Sequence, residues 1–580
     1  MQDLPALAHR FRFLGALAAW GLFALASPGV LSADGSVLVA MLGAGVWGHV
    51  EARPFKGRAW KGFLAHALGA LPGAAALMLW IRFIYPPPLA YIGLGMGLYS
   101  AGGGVLLRRL LVRVPAGAAP LAVALAWTAM ETLRTAVPMP FGLGWMRVGY
   151  QAHAWLWLAG SARVWGVTGL TFALASAGGL AALAWRVRGA ALRPLPLACG
   201  LGPLALGAAL GLGTGPGEFV PGPRLLLVQP GFSQERKQLG DPMRNFSELR
   251  ELTRSAVAAA RAAGAPEPDL VCWGESMLYT SIFVEGVEEL TREGARGIAD
   301  GASTPSRREL ASLADDEEGL VRGLLFGRGR WAPREPAPLP EGTSFLAGAE
   351  VFRPLEGEVR RFVAAVLYGP QGQRAGLSPK RFLVPGAETM YGLERVGAIE
   401  GFIREVSGYV PDFAAGDETG VLELPTREGR SYAMAATVCF DNAHLPPYTD
   451  PVRDGPVDFH VVVSNEAWYR ESFEVDQMVA FSRIAALASG RALVRATNSG
   501  ISLAMGADGR EIARIREGGR DRMVRGYLGV QVPVPDPDTG GGRPPIAFLR
   551  PWLDLAWVAL PLLLAGIRPG SGRNRDGGGG

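Results

Sequence analysis

The sequence predicts a two-part chain: a bundle of apolar helices, then an α/β domain closed by one more apolar helix. Three observations carry this. Of the 580 residues 49% are hydrophobic and only 19% are charged, below the roughly one quarter usual for soluble chains. Acidic residues divide sharply, with only Asp3, Asp34, Glu51 and Glu131, four of 52, preceding Thr214. Runs of β-type residues begin only after Thr214, where they alternate with helix-type stretches.

Before Thr214 the apolar runs are near the roughly 20 residues that cross a bilayer. They fall near Phe13–Leu31, Ser36–Val50, Gly62–Tyr85, Leu89–Leu107, Ala119–Val137, Val164–Trp185 and Pro194–Gly213, with another near Ala547–Ile567. Ser36–Val50 is short. The first run also has the look of a signal peptide, since Arg10 and Arg12 precede it, but six further runs follow and favour a retained helix. The expected domains are residues 1–213 as a multi-span membrane domain, 214–546 as a catalytic domain, 547–567 as a C-terminal membrane helix, and 568–580 as a Gly- and Arg-rich cytoplasmic tail.

Loop charge predicts orientation. Basic clusters at His9–Arg12, Arg53–Lys61, Arg108–Arg113, Arg186–Arg193 and Arg568–Arg575 all lie on one side if the N-terminus is cytoplasmic. The alternate loops Pro28–Ser36 and Pro86–Pro88 are nearly free of charge. Seven crossings then put the α/β domain outside the cytoplasm. The sequence pI near 9.2 is thus largely a topology signal. Nucleic-acid binding fits poorly, because the basic residues flank apolar spans instead of forming one stripe.

In the α/β domain, strands are predicted at Arg224–Gln229, Leu270–Trp273, Leu324–Gly327, Ala364–Tyr368, Ser431–Val438, Phe459–Ser464, Ala492–Thr497 and Ile501–Ala504, with helices at Asn245–Ala263 and Val475–Ser489. Residues Glu285–Glu318 and Arg330–Glu341 are polar and read as surface insertions.

Three strand-end residues carry candidate chemistry. Asp269–Glu275 is an apolar strand ending in a carboxylate, which partial burial can turn into a general base. Lys380 is one of only four lysines among 57 basic residues, and a compact ammonium suits a developing oxyanion. Glu388 can orient it or line the cleft. Ser431–Asp441 is a buried strand delivering Cys439 to its end, where a nearby cation and base are expected to lower the thiol pKa and make it a nucleophile. The main-chain N–H of Phe440 then offers an oxyanion contact. Each also has a plainer reading: Glu275 and Glu388 as solvated or capping carboxylates, Lys380–Arg381 as a surface basic pair, Cys439 as an inert buried thiol. Cys199 and Cys272 fit that last reading well. No histidine pair has metal-ligand spacing such as His-Glu-x-x-His, so no metal is expected.

In order, Glu275, Lys380 and Cys439 resemble the Glu–Lys–Cys triad of the nitrilase, or carbon–nitrogen hydrolase, superfamily. Val462-Val-Ser-Asn-Glu-Ala-Trp468 resembles that superfamily's Ser-Asn-(Asp/Glu)-Ala-Trp segment, placing Asn465 and Trp468 beside the site. The likeness continues through Gln477, Arg483, Ala486 and Arg491 to Arg495–Ile501, and Val228-Gln-Pro230 looks like the opening strand. Upstream, Trp127-Thr-Ala-Met-Glu131-Thr-Leu-Arg134, Phe141 and Gly149-Tyr-Gln151 resemble motifs of apolipoprotein N-acyltransferases, which join a multi-helix membrane domain to an extracytoplasmic nitrilase-like αββα sandwich and one C-terminal span. Departures occur at Gly274 (commonly Pro), Phe440 (commonly Tyr), Asp441 (commonly Glu) and Ser378–Pro379. Glu131 and Arg134 are open between a substrate role and an i,i+3 pair holding the helix to its neighbours.

The resemblance implies transfer of an acyl chain from a phospholipid, through a thioester on Cys439, to the α-amino group of the S-diacylglyceryl cysteine of bacterial apolipoproteins. It implies no metal or organic cofactor, no nucleic acid, and a multi-pass protein of the bacterial inner membrane with the catalytic domain on the periplasmic side. Apolar loops at Met277–Phe283 and Met390–Leu393 are expected to dip into the interface. Two rival readings are a membrane-tethered nitrilase-type amidase and a catalytically silent scaffold.

Overall fold

In the computed structural model each apolar run before Thr214 folds as a helix. The structure describes residues 4–53, 58–84, 86, 88–137, 143–187, 189–278, 282–283, 319–355, 358–390, 392, 396–407, 410–411, 413–539 and 542–566. The bundle comprises α1 (Leu4–Ala26), α2 (Val37–Glu51), α3 (Ala59–Ala76), α4 (Pro88–Leu111), α5 (Ala119–Ala136), the short α6 (Leu156–Ala159), α7 (Ala162–Arg186) and α8 (Pro194–Gly213). The predicted second and seventh spans match α2 and α8 to within a residue. The first is displaced: α1 begins at Leu4 and takes His9, Arg10 and Arg12 into its own first half. The third stops at Ala76, followed by a tight turn of helix at Leu79–Phe83.

Among the described residues, five helices are long and apolar enough to cross a membrane: α4, α5 with the turn before it, α7, α8 and the closing α14 (Pro545–Gly566). This makes the chain a multi-pass membrane protein. α2, at 15 residues, is about 22 Å long, short of the roughly 30 Å hydrocarbon core. Of the five, α7 is the most buried and α14 the least, so α7 forms the axis of the bundle. Its chain kinks at Gly166, where φ is 65°.

Two acidic groups of the bundle, Glu51 and Glu131, are buried in polar networks. The indoles of Trp20 and Trp47 both donate to Ser100 Oγ, at 2.9 and 3.1 Å. The Ser100 hydroxyl proton is therefore left for His66 Nε2 at 2.8 Å, and His66 Nδ1–H for Glu51 at 2.8 Å. This chain ties α1, α2, α3 and α4 together where hydrocarbon offers no other polar partner.

After α8 the chain builds two sheets. The first has the order β13–β1–β2–β4–β5–β6, with β3 also on β4. Its strands are β1 (Phe219–Gln229), β2 (Leu270–Cys272), β3 (Ile282–Phe283), β4 (Ser344–Leu355), β5 (Glu358–Tyr368), β6 (Arg374–Pro379) and β13 (Gly526–Pro535). The second is β12–β11–β10–β9–β8–β7, from β7 (Val421–Pro425), β8 (Ser431–Val438), β9 (Phe459–Ser464), β10 (Ala492–Thr497), β11 (Leu503–Met505) and β12 (Glu511–Arg514). In each, the central strands β1, β2 and β4, or β8, β9 and β10, run parallel. Parallel strands buried on both faces read as the continuous apolar runs seen in the sequence.

The sheets stack face to face. Along β8, Tyr432, Met434, Ala436 and Val438 point into the shared core with Leu227, Cys272 and Leu346 of the facing sheet, while Ala435 packs outward, the period-2 alternation of a strand. Helices α9 (Gln234–Leu239) and α10 (Pro242–Ala262) follow β1, and α10 covers the first sheet through Phe246, Leu249 and Val257. After α11 (Gly397–Ser407) and α12 (Pro446–Asp454), α13 (Glu474–Ser489) covers the second sheet through Val475 and Val479. The result is the expected αββα sandwich. One strand expectation is corrected: residues 319–326 are helical, ending at Phe326, because Val321 and Leu325 repeat at helical spacing and bury together. Strands β3, β4, β6, β7, β12 and β13 were not anticipated. Residues 284–318, expected as a surface insertion, lie outside the described residues. Arg330–Glu341 is mostly exposed, apart from its buried end at Pro338–Pro340.

The sandwich is seated on the bundle through the outer face of α13. Phe481, Ile484 and Leu487 share one core with Trp127, Trp145 and Leu170 of the bundle. At the centre of this seam Gln477 accepts the indole N–H groups of Trp80 (3.2 Å) and Trp145 (2.8 Å) and donates to Ser27 Oγ (3.0 Å) and the Leu77 carbonyl (3.2 Å).

Candidate active site

Strand ends meet at one edge of the sandwich. The carboxyl ends of parallel strands are where open α/β sheets place ligands. β2 leads to Glu275, β8 to Cys439 and β9 to Asn465; β6 brings Lys380. Together with Glu388, Lys237, Gln234, Trp468 and Tyr469, residues Glu275, Cys439 and Asn465 line a cavity of about 790 Å³, within the usual range for ligand sites.

Glu275 is held from three sides. Its main-chain N–H donates to Ser464 O at 3.3 Å. Its Oε2 accepts the Asn465 N–H at 3.0 Å, and its Oε1 faces the Lys380 ammonium at 3.9 Å. The preceding Gly274 passes so close to β9 and β10 that an added Cβ would lie 2.6 Å from Asn498 N and 2.9 Å from Ser464 O. Glycine here follows from that approach.

Lys380 is fully buried. Its Nζ donates to Glu388 Oε1 at 2.7 Å and lies 3.9 Å from Glu275 Oε1. Glu388 is fixed in turn by the Val384 N–H at 2.7 Å. Ser378, two residues before Lys380, donates to Ala436 O (2.6 Å) and accepts from Gly420 N (2.8 Å), which pins the lysine strand to β8. Burial opposes the Lys380 charge, but Glu388, Cys439 and Glu275 more than offset it, and its pKa is raised.

Cys439 starts a tight turn of helix, Cys439–Ala443, and has φ of 48°, a left-handed conformation uncommon outside glycine. Asp441 stabilises this elbow by accepting three main-chain N–H groups: Arg381 (3.0 Å) and Phe382 (2.8 Å) on Oδ1, and Val438 (3.1 Å) on Oδ2. One carboxylate thus clamps the thiol turn to the lysine turn. Burial pushes Asp441 up to about 6.

The expected lowering of the thiol pKa is overturned. Burial pushes Cys439 well above its ordinary value, Glu275 adds to this, and Lys380 only partly opposes it. Burial likewise raises Glu275 above the ordinary carboxylate range. The resting site therefore holds a protonated thiol and a carboxylate of raised basicity at the same cavity, an arrangement suited to proton transfer during attack.

The other predicted residues divide. Phe440 turns its ring away to stack on Trp145, with centroids 5.6 Å apart and planes 7° apart. Trp468, 38% exposed, stands at the cavity rim. Glu131 and Arg134 do not line the cavity. The Glu131 carboxylate accepts the Val148 N–H (3.0 Å) and the Thr171 hydroxyl (2.9 Å), while Arg134 donates to the carbonyls of Trp145 (2.9 Å) and Met146 (3.4 Å). They hold the loop that carries Trp145, so the neighbour-holding reading is the one the geometry favours. Of the expected interfacial loops, Met277 and Leu278 are buried and line the cavity; residues 279–281, 391 and 393 lie outside the described residues. Cys272 sits in the sandwich core, as its plainer reading required.

Sequence reasoning missed Lys237, Gln234 and Tyr469. Lys237 lies on α9 and donates to the Glu275 carbonyl at 3.3 Å. Lysine scarcity, which singled out Lys380, applied to it equally. Gln234 accepts the Asn465 side-chain amide at 3.1 Å.

A two-sheet α/β sandwich with a thiol, carboxylates and an ammonium near one strand edge, mounted on a multi-pass bundle, is an arrangement suited to thiol-based covalent catalysis at a membrane. Residues 35–180 match the family described as apolipoprotein N-acyltransferase N-terminal domain. The apolipoprotein N-acyltransferase of Chlorobaculum tepidum is 25% identical over 399 residues, covering 68% of each chain. That of Rhizobium etli is 25% identical over 531 residues, covering 88% of this chain and 86% of the relative. An amidase from Nesterenkonia sp. aligns in structure over 55% of this chain and 93% of its own, at 15% identity and a TM-score of 0.31. Over most of its length the chain is similar to apolipoprotein N-acyltransferases.

Proposed function

We propose that the protein N-acylates bacterial lipoproteins, with Glu275, Lys380 and Cys439 as its catalytic triad and a phospholipid as acyl donor. The observation that carries this reading is that Cys439, Glu275 and Glu388 line one cavity with Ile84 of the bundle in its wall, while Lys380 is buried behind them, 2.7 Å from Glu388 and 3.9 Å from Glu275.

Glu275 takes the thiol proton as Cys439 attacks the ester carbonyl. Lys380, kept charged and oriented by Glu388, stabilises the tetrahedral oxyanion together with the Phe440 main-chain N–H. Glu275 returns the proton to the departing lysophospholipid oxygen, and a thioester remains. The α-amino group of the diacylglyceryl cysteine then attacks the thioester, Glu275 takes the amine proton, and collapse forms the amide and regenerates the thiol. This is a two-step exchange through a covalent intermediate. The catalytic domain, residues 214–546, stands on the periplasmic side of the inner membrane in this reading, as loop charge favours. A site at the bilayer surface spares the acyl chains full transfer to water, which costs about 0.8 kcal/mol per CH₂.

Mass spectrometry of full-length protein incubated with phospholipid tests the proposal. A fatty-acyl adduct on Cys439, absent from Cys439→Ala and discharged by a diacylglyceryl-cysteine peptide, is expected. No adduct, or discharge by water alone together with turnover of small amides, overturns it in favour of a tethered amidase.

A further inference from the structure

We propose that Lys237 is the anchor for the phosphate of the acyl donor's headgroup, and so a determinant of donor specificity; this rests on the reading of the donor as a phospholipid. The triad chemistry uses one cation, Lys380. Two other cations, Lys237 and Arg361, line the cavity itself. Lys380 is committed to Glu388 at 2.7 Å. Arg361 is committed to Glu350 at 2.5 Å and to the face of Phe413, 4.2 Å from its centroid. Lys237 differs. Among the described residues its one hydrogen bond runs to the Glu275 main-chain carbonyl at 3.3 Å, the weak end of the range. An ammonium has three donors, so two remain for the cavity.

The position suits an anion next to the reacting ester. The carbonyl that holds Lys237 belongs to the general base itself, and its charge acts on both Glu275 and Cys439. A phospholipid carries one obligatory anion, a phosphodiester a few bonds from its acyl esters. Lysine is a compact point charge well matched to phosphate. Timing also favours it. Once Glu275 has taken the thiol proton it is neutral, so a phosphate beside Lys237 meets no carboxylate charge from Glu275 at the moment of attack. Burial lowers Lys237 to about 8, and a bound phosphate would hold it protonated. Gln238 follows directly on α9 and lines the same wall.

The test compares two donors with the same chains, dipalmitoyl phosphatidylglycerol and dipalmitoylglycerol, on full-length protein in detergent micelles. Acylation of Cys439 is followed by intact mass, and selectivity is the ratio of the two rates. Wild type should favour the phospholipid. Lys237→Met should reduce the ratio between about tenfold and a hundredfold, the range for a hydrogen bond to a charged group, mainly through KM; Lys237→Arg should keep most of it. A ratio unchanged in Lys237→Met overturns the inference, as does wild-type protein acylated equally by both lipids; in both cases the acyltransferase reading stands. If Lys237→Met does not fold, the wild-type ratio and Lys237→Arg decide. Inorganic phosphate that blocks acylation by both lipids alike would assign the site to the free anion and overturn the headgroup assignment. Wild type acylated by neither lipid removes the acyltransferase reading itself, and the inference with it.

Discussion

At the residue scale the decisive feature is the protonated Cys439 beside a carboxylate whose pKa burial raises. Only ionised Glu275 can take the thiol proton. Its folded-state pKa lies above the ordinary carboxylate value, so acylation should fail on acidification at a pH higher than a solvated glutamate would dictate. The rate of Cys439 acylation against pH checks this: a limb at or below the usual carboxylate pKa would refute the arrangement. Lys380→Arg should lower that rate by roughly a hundredfold or more, because a planar guanidinium does not fit a fully buried slot 2.7 Å from Glu388; single-turnover mass spectrometry would read it. Glu275 and Cys439 stood out in the sequence because each ends an apolar run, and Cys439 and Lys380 because their residue types are rare. Lys237 was not, since it reaches the site only when α9 folds back over the end of β1. The direction of the Cys439 shift was misjudged for a related reason. Composition reveals the neighbouring charges, but not that burial outweighs them.

At the element scale, the strands that match residue for residue, β8, β9 and β10, are parallel and covered on both faces, so their apolar runs are unbroken. Of the strands that were missed, β6, β7, β12 and β13 pair antiparallel with their neighbours, and β4, though parallel to β2, breaks its apolar run with Glu350 and Arg353. Their pairing comes from distant partners that local pattern does not reveal. Glu131 and Arg134 show the same limit inside the membrane. Their type and spacing were plain, but whether they face a substrate or the 143–148 loop depends on packing. Asp441 joins two elements by itself. Asp441→Ala removes the acceptor for three buried N–H groups, each worth about 1–3 kcal/mol when left unpaired. The thermal midpoint should fall by several degrees, with loss of acylation; an unchanged midpoint by scanning calorimetry would count against the clamp.

At the scale of the whole molecule, bundle and sandwich share one core. Phe440, Tyr469, Phe481, Ile484 and Leu487 of the α/β domain are buried in one cluster with Trp145 and its neighbours. Residues 214–546 expressed alone would bare this apolar face and should self-associate; a monodisperse monomer by size-exclusion chromatography would show the seam to be dispensable. The order of the two parts and the closing apolar helix were readable from hydropathy. The seam was not, because its residues look like ordinary core in either half.

The Gln477 junction carries a consequence for recombination. Its side chain serves four groups from three stretches of the bundle, at Ser27, at Leu77 and Trp80, and at Trp145. A chimera grafting a relative's catalytic domain onto these helices inherits the two indole donors with whatever residue the donor places opposite them. The two halves of this chain are therefore not interchangeable cassettes, and their compatible pairs must change together.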